Sequence, residues 1–450
     1  MAILSVQEHA RIIVGPEFNA EACTITPLQH SQLERANEDY MRRFGEAFLN
    51  HGPRRSLVAR QFVGVVSFGN DHLEVLPKIQ SDTTAVRKSL CTMIAKSLDL
   101  EIHAPGHGDM DTTHDSVLDV LVRIFCREMW QMVRSGLIRR YVPRVESLSF
   151  LRGRLSVPAQ LRTQLSRPDR LVCEFDEFTE DNSLNQILKA AVRVLLQVVR
   201  STANQRSLSE LLFCLQDVTD ISVDVLQHTD VKLDRLAKRW APLFSLAKLF
   251  LRVSSQDVLT GGRRGFTLLF DMNELFEAYI GAVIRRVCAK GPTRVTLQGP
   301  CRFLAKRIEG RQAFLLKPDV VGSLAGEVSF ILDTKWKRLK PQHSREGVAS
   351  TDVYQMYAYA TRYKASDVLL VYPHHAELGH WQPRRAEYII QAESTPSSLG
   401  NARICVATID LRDLATVPSQ LARMLAAHLD HSAASGGHRV EVDGVVTMAG

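Results

Sequence analysis

Residues 314–339 constrain the fold more than any other segment, because two apolar runs there end in charged residues. A Pro-Asp pair, with Asp319, ends the first run, and an Asp-x-Lys triplet, Asp333 and Lys335, ends the second. The aspartates are 14 residues apart with a glycine-containing turn between them, a spacing that fits two adjacent antiparallel strands. Residues two apart on a strand share a face. The segment therefore predicts two carboxylates and an amine at one place.

This combination suits phosphodiester chemistry with a divalent metal ion. Mg²⁺ takes carboxylate oxygens and keeps several waters, and it lowers the pKa of an attacking water. A lysine beside it can orient that water or stabilise charge on the phosphate. The alternative is an ordinary acid–base pair at a strand end. The other acid-x-Lys triplet, Asp230 and Lys232, follows no apolar strand and has no Pro-Asp at the required distance.

The segments on either side predict an order of elements. We expect a helix over 267–289, strands over 295–305, 311–317 and 327–333, a helix over 351–363, and a strand over 367–373.

Three polar side chains on these helices are candidates for the same site. Glu277 falls at the edge of the apolar face of its helix, where it is either a third metal ligand or a solvated acid, whereas Glu274 falls on the opposite side. Gln355 and Tyr359 are four apart and share one face of the later helix.

The remainder of the chain predicts further domains. Residues 1–110 have strand-like patterns, including a hairpin of 61–68 and 72–79 whose tip, at residues 69–71, could contact a partner. Residues 111–259 are mainly helical in pattern, 260–430 hold the elements just described, and 431–450 read as a tail, with a boundary expected at 260–265. The fold class predicted is a multidomain α+β and α/β protein.

Charge is concentrated in one region of this 450-residue chain, which carries a net +7. Residues 134–170 hold nine arginines, among them Arg152 and Arg154, against two acids, and five acids follow at 174–181. The arginines either face the phosphates of DNA or pair with the acids that follow. The sequence supports both interpretations about equally.

Several classes of protein are disfavoured. No phosphate-binding loop of the G-x-x-x-x-G-K-[ST] or G-x-G-x-x-G type occurs, and neither does H-E-x-x-H or G-x-S-x-G. The chain has no run of 18 apolar residues, so no membrane association is expected. Eight scattered cysteines without C-x-x-C pairs fit reduced thiols, and an amino terminus without a basic region before its apolar stretch does not suggest a secretory signal. We expect a cytoplasmic protein.

The ordered motifs resemble two known groups. Pro-Asp, Asp-x-Lys and Gln-x-x-x-Tyr in their predicted order resemble the PD-(D/E)XK nucleases, whose core has the order αβββαβ. A wider set resembles the McrC family, the endonuclease subunits of McrBC-type modification-dependent restriction systems: FGNDHLEVLPKI, SFLRGRLSVPAQL, DNSLNQILKAA, MNELFEAYI, KPDVV, LDTKWK and DVYQMYAYA.

The resemblance implies roles for particular residues. Asp319 and Asp333 would be Mg²⁺ ligands, Lys335 the catalytic lysine, and Gln355 and Tyr359 supports that contact the site or the DNA backbone. It also implies double-stranded DNA as substrate and a McrB-like AAA+ GTPase hexamer as partner, docked on the amino-terminal part. The rival functions are a catalytically silent adaptor between such a ring and DNA, and a repair nuclease that acts alone.

Overall fold

The computed structural model describes residues 3–435 except 54, 70, 101–115, 164–166, 168, 223–224, 226–230, 232, 236, 254–265 and 391–401. Three features of the sequence analysed above fall outside the described residues: the predicted boundary at 260–265, the acid and lysine of the other acid-x-Lys triplet at 230 and 232, and the part of the predicted tail after 435. The strands are β1 Ile3–Gln7, β2 Arg11–Val14, β3 Thr24–Ile25, β4 Leu49–Gly52, β5 Ser56–Ala59, β6 Phe62–Phe68, β7 Asp71–Leu76, β8 Arg140–Leu148, β9 Arg154–Leu155, β10 Leu171–Thr179, β11 Thr267–Asp271, β12 Arg294–Leu297, β13 Arg302–Lys306, β14 Gln312–Leu316, β15 Val320–Leu324, β16 Glu327–Thr334, β17 Asp367–Pro373, β18 Ala386–Ile389 and β19 Arg403–Ile409.

The α-helices lie between these strands and at the carboxy-terminal end. They are α1 Pro27–Phe44, α2 Thr83–Ser97, α3 Val117–Arg134, α4 Val157–Thr163, α5 Ser183–Val198, α6 Thr202–Cys214, α7 Ala241–Val253, α8 Met272–Cys288, α9 Ser350–Tyr363 and α10 Val417–Ser435. Among the described residues, no helix is long and apolar enough to cross a membrane. The architecture is a mixed α/β multidomain fold with several separate sheets.

The chain forms two compact units. The first comprises residues 1–64, 71–113 and 269–450, and the second comprises 65–70 and 114–268. This division differs from the predicted boundaries, because the amino-terminal and carboxy-terminal segments share one unit. Trp336 Nε1 donates to both carboxylate oxygens of Glu8, at 2.9 and 3.0 Å, across 328 residues of sequence. Asp99, just after α2, pairs with Arg285 on α8 at 2.6 Å.

A six-stranded sheet in the first unit has the order β12-β15-β16-β17-β19-β18. The strands β12, β15 and β16 are antiparallel neighbours, and β16, β17 and β19 run parallel. Val368 and Leu370 on β17 pack in one core with Met356 and Tyr359 of α9. Because successive strand residues face opposite sides, and the intervening Leu369 is also buried, this sheet is covered on both faces.

Several individual elements form where they were predicted. The strands β6, β7 and β17 confirm the predicted runs, and Pro77 follows β7 directly, where a residue without an amide proton costs no ladder hydrogen bond. The predicted helix over 351–363 is α9.

Other predictions for this unit were wrong. The expected helix over 267–289 begins only at Met272, because Asp271 caps it and residues 267–271 form β11. The strand expected over 295–305 is two strands, β12 and β13. The strand expected over 311–317 is β14, which pairs with β13 in a separate two-stranded sheet. The strand that joins the main sheet is β15, which the sequence analysis missed.

The second unit combines helices with a small sheet. Its helices α3, α5 and α6 lie in the region predicted to be mainly helical, and Ser116 caps α3 through the Asp119 amide. The antiparallel sheet β8-β10-β9 within this mainly helical region was not predicted. Its strand β8 alternates between exposed and half-buried positions, and its arginines conceal that period-two pattern in the sequence.

Candidate active site

The two aspartates lie on adjacent strands of the main sheet. In the β15–β16 hairpin Val320 lies opposite Leu332, and continuing this register places Asp319 opposite Asp333. The Asp319 Oδ2 atom accepts hydrogen bonds from Thr334 N at 2.7 Å and Thr334 Oγ1 at 2.8 Å. These bonds fix the carboxylate beside the end of β16. The predicted convergence of the two aspartates is therefore present in the structure.

Lys335 lies between the carboxylates and helix α9. Its Nζ atom is 2.6 Å from Asp333 Oδ2 and donates to Gln355 Oε1 at 3.0 Å. Gln355 Nε2 in turn donates to the Tyr359 hydroxyl at 2.8 Å, and that hydroxyl donates to the Lys317 carbonyl at 3.1 Å. The chain of contacts ends two residues before Asp319. Gln355 and Tyr359 therefore hold the lysine and the segment that carries the first aspartate.

Glu277 reaches the same region from helix α8. Its Oε1 atom accepts from Gln298 Nε2 at 3.0 Å, and Gln298 Oε1 accepts from Lys317 Nζ at 2.9 Å. Glu274, one turn earlier, is exposed, as expected from its opposite position on the helix. No role was predicted for Gln298, Lys317 or Thr334. Gln298 follows β12 and carries no recognisable signal, because only the folded sheet brings it to Glu277.

Burial and mutual repulsion dominate the electrostatics of the carboxylates. Asp333 is 1% exposed, and burial, followed by the charge of Asp319, raises its pKa to about 7. Burial also raises the pKa of Asp319, although the hydrogen bonds from Thr334 oppose this. The pKa of Glu277 is raised by burial and then by the charge of Asp319. The three carboxylates repel one another when all are ionised, and a cation bound among them would offset this repulsion.

The pKa of Lys335 is raised as well, but for a lysine a raised pKa favours the charged form. Burial alone would lower the pKa of Lys335, but the charges of Asp333 and Asp319 outweigh it and raise the pKa. The lysine therefore stays protonated at neutral pH and serves as a hydrogen-bond donor and a positive charge, not as a base.

The donor set fits a hard divalent cation with few protein ligands. Asp333 Oδ2 is buried, and it accepts no hydrogen bond of acceptable geometry although the Lys335 ammonium is close. Within the described part of the chain, no three His, Cys, Asp or Glu side chains are clustered closely enough to form a metal site alone. Mg²⁺ is commonly held by one or two carboxylates together with waters and substrate phosphate. Asp319 and Asp333 satisfy that requirement without Glu277.

Arg152 and Arg154 lie in the second unit, and both are paired with acids. Arg152 is 3.6 Å from Glu177, and Arg154 pairs with Glu174. Arg144, in the same block, is 3.1 Å from Asp181. These contacts are those of the second interpretation, in which the arginine block pairs with the acidic cluster at 174–181. A role for Arg152 and Arg154 in contacting DNA stays a prediction.

The known proteins that this chain resembles are components of McrBC systems. Residues 57–373 match a family described as "McrBC 5-methylcytosine restriction system component". The fold is similar to a chain of the half-complex from the tetradecameric assembly of Thermococcus gammatolerans McrB AAA+ hexamers with bound McrC. The identity is 21%, the match covers 94% of this chain and 99% of that chain, and the TM-score is 0.64.

A second solved structure is also similar. A chain of the Thermococcus gammatolerans McrBC complex is 24% identical, with 64% of this chain and 89% of that chain covered and a TM-score of 0.51. At these identities the likeness shows the fold. A search of curated proteins gave no significant match.

Proposed function

This chain belongs to the family of McrBC restriction system components, and we propose that it is the Mg²⁺-dependent DNA endonuclease subunit of such a system. The observation that carries the proposal is the arrangement of Asp319, Asp333 and Lys335 at one edge of the main sheet. Burying two carboxylates lowers the free energy of unfolding when they ionise, and groups of this kind are typical of functional sites. An adaptor without catalytic activity would have no use for them.

The site has the features expected of a PD-(D/E)XK nuclease. Asp319 and Asp333 would hold the Mg²⁺ ion, which would supply Lewis-acid activation of a water for attack on the scissile phosphate of double-stranded DNA. Thr334 fixes the orientation of Asp319 through two hydrogen bonds. Lys335, kept protonated and held by Gln355, presents a positive charge to the phosphate as its negative charge grows.

Metal binding can be measured without cleavage. We expect full-length protein to bind Mn²⁺, a paramagnetic substitute for Mg²⁺, in an electron paramagnetic resonance titration, and Asp319→Asn to abolish this binding. Glu277→Gln and Glu274→Gln form a matched pair on one helix, of which only Glu277 lies near the carboxylates. Weaker binding in Glu277→Gln alone would support the predicted third ligand. Unchanged Mn²⁺ binding in Asp319→Asn would contradict the proposal.

The partner proposed is a McrB-like AAA+ GTPase hexamer. The similar T. gammatolerans structure contains McrC bound to McrB AAA+ hexamers. Residues 1–110 remain the predicted docking region. At the hairpin tip suggested by the sequence, the carboxylate of Asp71 already accepts from Gln29 Nε2 at 2.7 Å. This contact makes the tip less available for a partner.

The small sheet of the second unit is another candidate docking surface. Phe150 and Leu151, neighbours in sequence, are each 60% exposed. A separate exposed pair, the Tyr141 and Phe178 rings 5.0 Å apart, lies towards the other end of the paired strands β8 and β10. Apolar side chains grouped on a surface commonly mark a protein interface. We expect the double variant Phe150→Ser with Leu151→Ser to lose stimulation of the partner's nucleotide hydrolysis.

A control for this experiment lies in the same unit. Phe213 on α6 is 71% exposed and lies outside that sheet, so Phe213→Ser should leave stimulation unchanged. Full stimulation by the double variant would exclude the sheet as the docking surface. Mg²⁺-dependent cleavage by the full-length chain without any AAA+ protein would favour the alternative function, a nuclease that acts alone.

A further inference from the structure

A cavity of about 350 Å³ opens in the first unit beside the candidate active site. Its walls include residues that follow β16 and β17, namely Trp336, Arg338 and His375. Because β16 and β17 are parallel, their carboxyl ends lie at the same edge of the sheet, and Asp333 lies at that end of β16. Ligands of such sheets bind outside the carboxyl ends of the strands. The cavity and the candidate active site thus share one edge.

The cavity carries an excess of positive charge. Lys78, Lys337 and Arg338 line it, together with a single acid, Glu8. Lys337 is neutralised, because its Nζ atom lies 3.1 Å from both carboxylate oxygens of Asp352. Lys78 and Arg338 form no ion pair with any residue that the structure describes. Two cations are therefore left for a ligand.

The acid in the cavity wall is already engaged. Glu8 is 2% exposed, and its carboxylate accepts from Trp336 Nε1 and from the backbone N–H of Lys78, at 2.9 Å in each case. Burial raises the pKa of Glu8, while the hydrogen bonds from Lys78 and Trp336 oppose this rise. Glu8 therefore acts as a support that holds the tryptophan and the Lys78 segment against each other.

A buried histidine forms another part of the cavity wall. His375 is 5% exposed, and its Nε2 atom is 2.9 Å from the Leu339 carbonyl, which can only accept a hydrogen bond. Nε2 therefore carries the proton. The other ring nitrogen, Nδ1, then carries a lone pair and is buried without a hydrogen-bond partner among the described residues. Because Nδ1 can only accept and the oxygens of a phosphodiester also only accept, His375 shapes the wall without binding a phosphate.

We propose that the cavity binds a backbone phosphate of the DNA strand held at the candidate active site, through Lys78 and Arg338. This inference rests on the proposed function. Five residues separate Asp333 from Arg338, a reach of at most about 18 Å. With one phosphate per 3.4 Å of axis on each strand, the cavity lies within about five nucleotides of the carboxylates. Its role is to fix the strand beside the reacting phosphate.

The test measures DNA binding by the full-length protein in the absence of metal. Fluorescence anisotropy with a labelled duplex compares wild type with the double variant Lys78→Ala and Arg338→Ala, between about 50 and 200 mM salt. We expect about tenfold weaker binding and a slope of log K against log salt that is smaller by about 1 to 2. The matched control is Lys88→Ala with Arg286→Ala, which removes two exposed cations outside the cavity and should change affinity less than twofold.

Each other outcome has a definite meaning. Equal affinity losses in both double variants, or no DNA binding by wild type, would overturn the proposal. Saturable binding of inorganic phosphate that depends on Lys78 and Arg338, with wild-type DNA affinity in their double variant, would assign the cavity to free phosphate and also overturn it. The proposed function is tested separately. If Asp333→Ala still cleaves DNA while the cavity variant loses affinity, the cavity binds DNA but the assignment of Asp333 to the active site falls.

Discussion

Gly322 on β15 lies opposite Phe330 on β16, and it offers a sharp test of the geometry at the carboxylates. A Cβ atom at position 322 would lie 2.5 Å from Cζ and 2.6 Å from Cδ1 of the Phe330 ring. Carbon atoms pack at about 3.5–4.0 Å, so the ring would have to move by about 1 Å or more. Phe330 is only 3% exposed and has little space into which to move. We expect Gly322→Ala to lower the free energy of unfolding by about 1–3 kcal/mol.

The same substitution should impair cleavage. Gly322 is three residues from Asp319, and separating β15 from β16 would disturb the hydrogen bonds from Thr334 that fix this aspartate. Misplacement of a catalytic group by about 1 Å can reduce a rate by about 100-fold. We therefore expect Gly322→Ala to cut DNA about one to two orders of magnitude more slowly at a temperature where it remains folded.

Urea denaturation followed by circular dichroism measures the stability change. Gly291→Ala is the control, because a Cβ atom there meets only the Cys288 carbonyl, at 3.7 Å. The double variant Gly322→Ala with Phe330→Leu should be less destabilised than the sum of the single changes, because leucine vacates the space that the new methyl group needs. Wild-type stability in Gly322→Ala, or strict additivity in the double variant, would refute the reasoning.

The remaining predictions concern ionisation, hydrogen bonding and DNA contact. Because the pKa of Asp333 is raised from 3.8 to about 7 in the folded protein, its ionisation opposes folding. Wild-type stability should therefore fall as the pH rises from about 4 to about 7, and Asp333→Asn should show a smaller fall in urea denaturation across that range. Tyr359→Phe removes the hydroxyl that accepts from Gln355, so we expect a loss of about 1–2 kcal/mol in the same assay and slower cleavage. Arg152→Ala with Arg154→Ala should leave the salt dependence of DNA binding unchanged, since both arginines pair with acids; a flatter dependence would support the predicted phosphate contact.

The candidate site was largely predictable because its principal residues are close in sequence. Asp319 and Lys335 flank the β15–β16 hairpin and Asp333 lies within it, so the spacing of the aspartates and the Asp-x-Lys alternation predicted their meeting although β15 itself was not predicted. The relation of Gln355 to Tyr359 follows from the helical repeat alone. The link between Gln355 and Lys335 needed the packing of α9 on the sheet, which no local pattern specifies.

The errors arose where tertiary contacts decided between local alternatives. The apolar run that precedes Met272 fits either a helix or a strand, and the helical interpretation failed because residues 267–271 pair in a sheet. The run at 311–317 has a strand pattern, but its partner is β13, so this hairpin is inserted in the sequence between β12 and β15 and forms a sheet of its own. The contact between Glu8 and Trp336 could not be inferred, because neither residue carries a signal for the other. Such long-range contacts join amino-terminal and carboxy-terminal segments in one unit, which boundaries drawn along the sequence do not predict.

The most direct test of the central claim is cleavage of methylated double-stranded DNA by the complex of this chain with its AAA+ partner in Mg²⁺. Asp319→Ala and Asp333→Ala should each abolish cleavage, because each removes one of the two carboxylates that would hold the metal ion. Both variants should still bind the partner and stimulate its nucleotide hydrolysis. Mg²⁺-dependent cutting above a trace by either variant would contradict the assignment of this site.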